Sequence, residues 1–172
     1  MTRDSLDDLT ARVRRLEDES AIRALKARYL RSCDLKAVDG VRQTLVPDGA
    51  VIEFEGFPRF DDREPFLAVY EQFGCAPGIF DIHHGTNAEI VFDGNDRATG
   101  RWSLLFHNIN LSARTLTQMG VEYDDVYVRR DGRWWIAETA SRRTSFLTHS
   151  VGEDGAPRVT AMGEAPGAFG ET

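Results

Sequence analysis

The chain has 172 residues, of which 41% are hydrophobic and 28% charged, as expected for one globular domain. Its formal net charge of −7 disfavours a general phosphate-binding surface and therefore a nucleic-acid partner. No apolar run approaches the ~18 residues that a membrane span needs. The acidic N-terminus does not resemble a secretory signal, and two cysteines do not make a disulfide framework. We therefore expect a cytoplasmic protein without a membrane partner.

The N-terminal segment is predicted to be a helical arm over residues 1–17. Its apolar residues recur at helical spacing, namely Leu6, Leu9, Val13 and Leu16. The other faces of this segment are charged, so the apolar stripe is narrow. Such a stripe indicates an arm that packs either on its own domain or on a neighbouring subunit.

A second helix is predicted to begin near residues 18–20 and to carry Tyr29 on its apolar side. Asp34 follows five residues later, about 140° further around the axis if the helix continued. Tyr29 and Asp34 are therefore expected to share a pocket only if the helix ends near Asp34.

The pattern then changes towards strands. A short third helix is predicted to start near Asp39 and to stop before Pro47. Residues 50–56 alternate as a strand does, and residues 62–73 return to helical spacing. Long strands are predicted over residues 83–92, 98–111, 118–129 and 134–143, with a hairpin turn at Asp131-Gly132 before the last of them. The Gly- and Pro-rich tail is predicted to be irregular, or to be ordered only against another surface.

Helices followed by a long antiparallel sheet predict an α+β fold. We expect a strongly curved sheet wrapped on the N-terminal helices, leaving a cone with one open end. Such a cone holds a mostly apolar pocket with a few inward polar groups. The predicted organisation is an arm over residues 1–17, one domain over residues 18–148, and a tail over residues 149–172.

Two segments about fifty residues apart carry the residues suited to acid–base chemistry. The first ends at Asp34, and the second contains His83 and His84 at the start of a strand. If the fold brings the segments together, Asp34 can orient a histidine that acts as a general base, and Tyr29 can donate a hydrogen bond beside it. Because neighbouring strand residues face opposite ways, at most one of the two histidines enters the cavity.

The strand over residues 98–111 supplies two candidate substrate-binding residues, His107 and Arg101. They share one face of the strand, Trp102 and Leu104 lie on the other, and either face satisfies the pattern. An inward arginine could anchor an anionic substrate. No metal site is predicted, because no two histidines stand at helical i, i+4 spacing and neighbouring strand histidines diverge.

The chain resembles the SnoaL-like branch of the nuclear-transport-factor-2-like superfamily over about residues 18–148. Four segments carry the resemblance: Ala21-Ile22-Arg23 leading to Arg28-Tyr29 and Asp34; Leu45-Val46-Pro47-Asp48-Gly49-Ala50; His83-His84-Gly85-Thr86-Asn87; and Asp131-Gly132-Arg133-Trp134-Trp135-Ile136. The resemblance implies a cone-shaped α+β barrel, no cofactor, and a homodimer or homotrimer.

The same resemblance implies a reaction. His83, Asp34 and Tyr29 match positions at which dehydratases and a dehydrochlorinase of this superfamily remove a proton while a leaving group departs. It therefore implies a cofactor-independent lyase, a dehydratase-type β-elimination on a small hydrophobic cyclic or steroid-like molecule. Isomerases, cyclases, non-catalytic binding proteins and small subunits of ring-hydroxylating oxygenases share the fold. An isomerase or cyclase using the same base, a ligand-binding module and an oxygenase small subunit all stay open.

Overall fold

The structure, a computed structural model, describes residues 3–163 and begins with one long helix. Helix α1 spans Arg3–Asp34. Its second half is anchored to the domain because Ile22, Leu25 and Tyr29 recur on one side of the helix and are buried. The prediction that a second helix begins near residue 18 is wrong, since most residues around it are good helix formers and α1 runs through without a break. Residues 1 and 2 of the predicted arm lie outside the described residues.

Short elements connect α1 to the main sheet. They are α2 (Val38–Arg42), β1 (Val51–Phe54), α3 (Arg63–Val69) and a π-helical turn (Tyr70–Gly74). Asp62 caps α3 by accepting a hydrogen bond of 2.9 Å from the backbone N–H of Glu64. These elements confirm the predicted short helix before Pro47, the strand within residues 50–56 and the helical turns that follow.

Within residues 3–163 the sheet has six strands. Those after β1 are β2 (Ile79–Asp93), β3 (Arg97–Asn110), β4 (Thr115–Arg130), β5 (Arg133–Val151) and β6 (Pro157–Gly163). The order is β1-β5-β4-β3-β2, with β6 paired to β5, and β1 is the one parallel partner among them. The hairpin turn at Asp131 and Gly132 is confirmed, and both residues have positive φ as a tight β-hairpin turn requires.

The C-terminal tail corrects one prediction. Instead of being irregular throughout, it forms β6, which pairs with the end of β5 from Val151 opposite Pro157 to Phe146 opposite Gly163. The side chains of β6 are exposed, so edge pairing with a long neighbour explains this strand better than apolar burial. Residues 164–172 of the predicted tail lie outside the described residues.

The sheet is curved and open, and its inner face packs against α1. We call inner the face that carries Trp102, Leu104 and Tyr123, which are buried with the apolar side of α1. Register shifts in the β2–β3 and β4–β5 pairs add local bending. N-terminal helices against a curved, mainly antiparallel sheet confirm the predicted α+β class. No helix in the described part of the chain is long and apolar enough to cross a membrane.

Candidate active site

The end of α1 meets β2 on the inner face, and this contact joins Asp34 to His83. Asp34 Oδ1 lies 2.6 Å from His83 Nδ1 and also accepts a hydrogen bond of 2.9 Å from the backbone N–H of His83. The side chains of His83 and Asp34 are 14% and 28% exposed, so both are shielded yet reachable. Within residues 5–163, His83 Nε2 has no hydrogen-bond partner and is therefore free to meet a ligand.

The way in which α1 ends explains the position of Asp34. The backbone N–H of Ala37 donates to the Ser32 carbonyl at 2.9 Å, and that of Lys36 donates to the Cys33 carbonyl at 3.2 Å. These two bonds form a Schellman motif, with Lys36 in the left-handed conformation at φ 57°. The helix therefore stops at Asp34, as a shared pocket with Tyr29 requires.

Tyr29 lies one and a half turns earlier on α1 and is 2% exposed. Its ring is 5.2 Å from the ammonium of Lys26, and its hydroxyl forms no hydrogen bond to another described residue. Burial raises the pKa of Tyr29 well above its ordinary 10.0, with neighbouring groups such as Cys33 adding to the effect. The hydroxyl therefore keeps its proton and can act as a donor.

Strand alternation turns His83 inward and leaves His84 exposed. The ring of His83 lies 4.7 Å from the ring of Phe106, its register partner on β3. The register continues to Met119 on β4 and Phe146 on β5, which are both half-buried. We call His83, Phe106, Met119 and Phe146 the apolar row, since it runs from the imidazole across the inner face of four strands.

A second row lies beside the apolar row and is polar. It consists of Asp81, Asn108, Thr117 and Thr148, which are successive register partners on β2 to β5. Asn108 donates to Asp81 at 2.6 Å, and the hydroxyls of Thr117 and Thr148 are 3.1 Å apart. Lys36 forms an ion pair with Asp81. Because strand residues two apart are separated by about 7 Å, this polar row lies roughly that far from His83.

Sequence reasoning missed the polar row. Asp81 could have been predicted, because strand alternation places it on the same face as His83, two residues earlier. The position of Lys36 could not be predicted from the sequence pattern, because its approach to Asp81 depends on the left-handed turn that ends α1.

The structure does not bring Arg101 and His107 to His83. The alternation that turns Trp102 and Phe106 inward points both residues to the outer face, where Arg101 pairs with Asp124 at 3.1 Å. These two predicted substrate contacts therefore lie away from the candidate site.

A different arginine turns inward on β5. Arg143, whose side chain is 8% exposed, lies opposite Val121 at a register shift next to Gly120. Its neighbour Arg142 is exposed and pairs with Glu122. The register shift, which a sequence pattern does not disclose, decides which of the two arginines faces inward.

A cavity of about 540 Å³ lies on the outer face and is separate from this site. Charged residues that line it form ion pairs with one another, as in the Arg59–Glu53 contact at 2.9 Å and the Arg101–Asp124 contact. Within residues 5–163, no group of three His, Cys, Asp or Glu side chains is placed to hold a metal ion. The inner face around His83 is therefore the candidate active site.

Solved structures with the same fold include enzymes. The chain is 22% identical to a hexachlorocyclohexane dehydrochlorinase of type 3 from Novosphingobium barchaimii, over 90% of this chain and 99% of that one, with a TM-score of 0.71. A protein provisionally described as a scytalone dehydratase from Novosphingobium aromaticivorans is 18% identical over 92% and 97%, with a TM-score of 0.72. At these identities the likeness shows the fold.

A third solved structure with this fold is described as cystatin-like. An NTF2-like protein with a cystatin-like fold from Novosphingobium aromaticivorans is 23% identical over 81% of this chain and 90% of that one, with a TM-score of 0.67. The sequence profile of the SnoaL-like domain matches residues 14–140, which is more than half of the chain. The protein therefore belongs to the SnoaL-like family.

Proposed function

We propose that the protein is a cofactor-independent lyase in which His83 is the general base for β-elimination. Its Nε2 takes a proton from the carbon next to an activating carbonyl, and the C–H electrons form the new C=C bond. The bond to the leaving group breaks with its electron pair. The protonated imidazole then returns the proton to the departing oxygen, so that water is released and His83 regains its starting state.

The observation that carries this proposal is the 2.6 Å contact between Asp34 and His83 Nδ1. A carboxylate at Nδ1 fixes the imidazole with its lone pair at Nε2, and it stabilises the imidazolium that forms after proton transfer. The second contact, from the backbone N–H of His83 to the same oxygen, fixes the carboxylate as well. Asp34 therefore acts as the group that orients and charge-stabilises the base.

Tyr29 is proposed as the donor that polarises the substrate carbonyl or assists the leaving group. Its buried hydroxyl stays protonated and has no other partner within the described residues. A buried donor that meets developing negative charge costs little reorganisation, and loss of one such donor typically lowers the rate by about 10² to 10³.

The two rows suggest the class of substrate. A flat or cyclic apolar body fits against Phe106, Met119 and Phe146, and the polar row offers hydrogen-bond partners roughly 7 Å from His83. That separation is about the width of one six-membered ring. We therefore propose a small hydrophobic cyclic substrate, with a steroid-like molecule as its larger form, that carries a second polar group.

Proton abstraction can be tested before the natural substrate is known. In D₂O, the protein should exchange the proton next to the carbonyl of cyclic β-hydroxyketones, and proton NMR measures this exchange. It should also release water from them, and mass spectrometry detects that loss. His83→Ala should lower both rates by about 10² to 10⁴. His84→Ala is the matched control, because the neighbouring imidazole is exposed on the other face.

The outcomes separate the alternatives. Loss of water identifies a lyase, and a shifted double bond without loss of mass identifies an isomerase that uses the same base. Exchange in His83→Ala at the wild-type rate would remove His83 from the mechanism.

A further inference from the structure

We propose that residues 6–17 of α1 pair with the same segment of a second copy of this chain, as a short parallel two-stranded coiled coil. The inference is independent of the proposed reaction. It concerns the first half of α1, which the family fold and the candidate active site leave unexplained.

The apolar side of this arm is uncovered. Four residues form it and are 45% to 68% exposed: Leu6, Leu9, Val13 and Leu16. At 100° per residue, this stripe points roughly 170° away from the side of α1 that buries Ile22, Leu25 and Tyr29. Within residues 5–163 the domain therefore leaves the stripe uncovered, which favours the alternative of a neighbouring subunit.

The opposite side of the arm already rests on the domain. Arg15 lies 4.2 Å above the ring of Phe92, and Asp18 accepts a hydrogen bond of 3.0 Å from the indole of Trp134. Asp18 also pairs with Arg129. These contacts hold the helix in place and keep the stripe facing away from the domain.

The spacing of the stripe is that of a coiled-coil seam. Steps of three, four and three residues place Leu6 and Val13 at a positions and Leu9 and Leu16 at d positions of two heptads. At the second heptad, the β-branched Val13 at a with Leu16 at d favours two strands in a parallel arrangement. The arm therefore specifies a pair of helices.

The flanking charges select a second copy in the parallel orientation. Arg12 is at g and Glu17 at the following e position, so a parallel pair places Arg12 of each copy beside Glu17 of the other. In an antiparallel pair, Arg12 of one copy would lie beside Arg12 of the other. The same seam therefore gives two opposite-charge pairs in one orientation and a like-charge contact in the other.

Two heptads are short for an isolated coiled coil, but this helix is formed before it pairs. It continues without a break into the buried half of α1, so pairing does not have to nucleate a helix in each chain. A preorganised surface binds at a lower entropic cost than a flexible peptide.

The first test measures the mass of the full chain by size-exclusion chromatography with light scattering at about 100 µM. The chain mass is 19.3 kDa, and the wild type is expected at twice that value or a multiple of it. Leu9→Glu/Val13→Glu should halve the number of chains per particle without changing helix content by circular dichroism. A wild-type monomer, or a double variant that keeps the wild-type mass, would overturn the proposal.

Charge reversal tests the partner and its orientation. Arg12→Glu and Glu17→Arg should each weaken association at least several-fold, and the double swap should restore it. Arg14→Glu makes the same charge change on an exposed residue outside the seam and should have no effect. Equal effects of Arg12→Glu and Arg14→Glu would show that net charge alone controls association, contrary to the proposal.

Cysteine cross-linking separates the parallel pair from other contacts. In the parallel pair, Val13→Cys places two thiols side by side within disulfide reach, and mild oxidation should give a covalent dimer. Ala11 is at the f position, on the side of the helix opposite the seam, so Ala11→Cys should stay monomeric on a denaturing gel. If the chains associate only through the outer sheet face, Val13→Cys will not cross-link. If the helices run antiparallel, a mixture of Leu9→Cys and Val13→Cys will cross-link instead.

Discussion

Asp34 contacts both the ring and the backbone of His83, so its charge can be tested separately from its shape. Asp34→Asn keeps an oxygen that can accept from the backbone N–H of His83, but it cannot stabilise an imidazolium. If His83 is the base, we expect turnover of the cyclic ketone probe to fall by about 10² or more, with little change in KM.

The readouts for Asp34→Asn are kcat and KM in the exchange assay, together with the free energy of unfolding in urea. A loss confined to kcat indicates a role in stabilising the charged base. Turnover within two-fold of the wild type would show that the carboxylate only ties the end of α1 to β2.

Lys26, whose ammonium lies 5.2 Å from the ring of Tyr29, belongs to a separate buried network. Lys26 and Asp125 are both fully buried and form an ion pair at 2.7 Å. Asp125 also accepts hydrogen bonds from Tyr127 at 2.6 Å and Thr139 at 2.7 Å. Burial lowers the pKa of Lys26, and the attraction of Asp125 opposes that shift. The network ties α1 to β4 and β5 beneath the candidate site.

Removing one member of this pair should be costly, because it leaves a buried charge without its partner. Lys26→Met is expected to lower the free energy of unfolding by about 3 to 5 kcal/mol. Lys26→Met/Asp125→Asn should recover part of that loss, since the amide can still accept from Thr139 and carries no charge. Urea denaturation measures both. A loss below about 1 kcal/mol for Lys26→Met would contradict the buried pair.

At the scale of the elements, Gly100 on β3 leaves room for the ring of Tyr127 on β4. A Cβ added at Gly100 would lie 2.8 Å from the ring of Tyr127 and 3.1 Å from the indole nitrogen of Trp102. Trp102 donates a hydrogen bond of 3.0 Å to the Tyr127 hydroxyl, so neither ring can move without breaking the network. The sheet therefore requires glycine at this position.

Gly100→Ala is predicted to destabilise the protein by about 1 to 3 kcal/mol through overpacking. Thr99→Ala is the control, because the neighbouring side chain points to the outer face. Thermal unfolding followed by circular dichroism compares the two. Equal stability of the two variants would mean that the Tyr127 ring moves aside freely.

The two faces of β3 can be predicted from the sequence, but the choice of the inner face cannot. Alternation predicts two faces of β3 but not which of them is inner. The face with Arg101 and His107 therefore satisfied the pattern as well as the face that is buried. Packing of Trp102 and Leu104 against α1 decides that question, and it is a long-range contact. By contrast, Asp34 and His83 lie in segments that carry the family resemblance, so their proximity could be anticipated.

Two further features depend on pairing rather than on composition. β6 forms because the end of β5 offers an open edge, although its own sequence is rich in turn formers on either side. Lys36 reaches Asp81 because α1 ends in a Schellman motif without the usual glycine. Neither can be predicted from a periodic pattern in one segment.

For the molecule as a whole, proton release from the core links stability to alkaline pH. Burial raises the pKa of Cys33 from 9.0 to about 12 and raises the pKa of Tyr29, Tyr123 and Tyr127 above the ordinary 10.0. The folded state keeps protons that the unfolded chain releases. The stability from these groups is therefore complete below about pH 9 and is lost as the pH rises towards 12.

Lys26 acts in the opposite sense, because its pKa is lowered and the unfolded chain holds that proton up to 10.5. Burial raises the pKa of Tyr70 as well, so one lysine opposes four tyrosines and a cysteine. We therefore expect the free energy of unfolding to fall from pH 9 and to fall more steeply above pH 10. Urea denaturation at pH 8, 9.5 and 10.5 measures the slope. Cys33→Ala should be less sensitive between pH 8 and 9.5, where the unfolded thiol is the main group that ionises. A stability that is level to pH 10.5 in the wild type would show that water reaches these core groups in the folded protein.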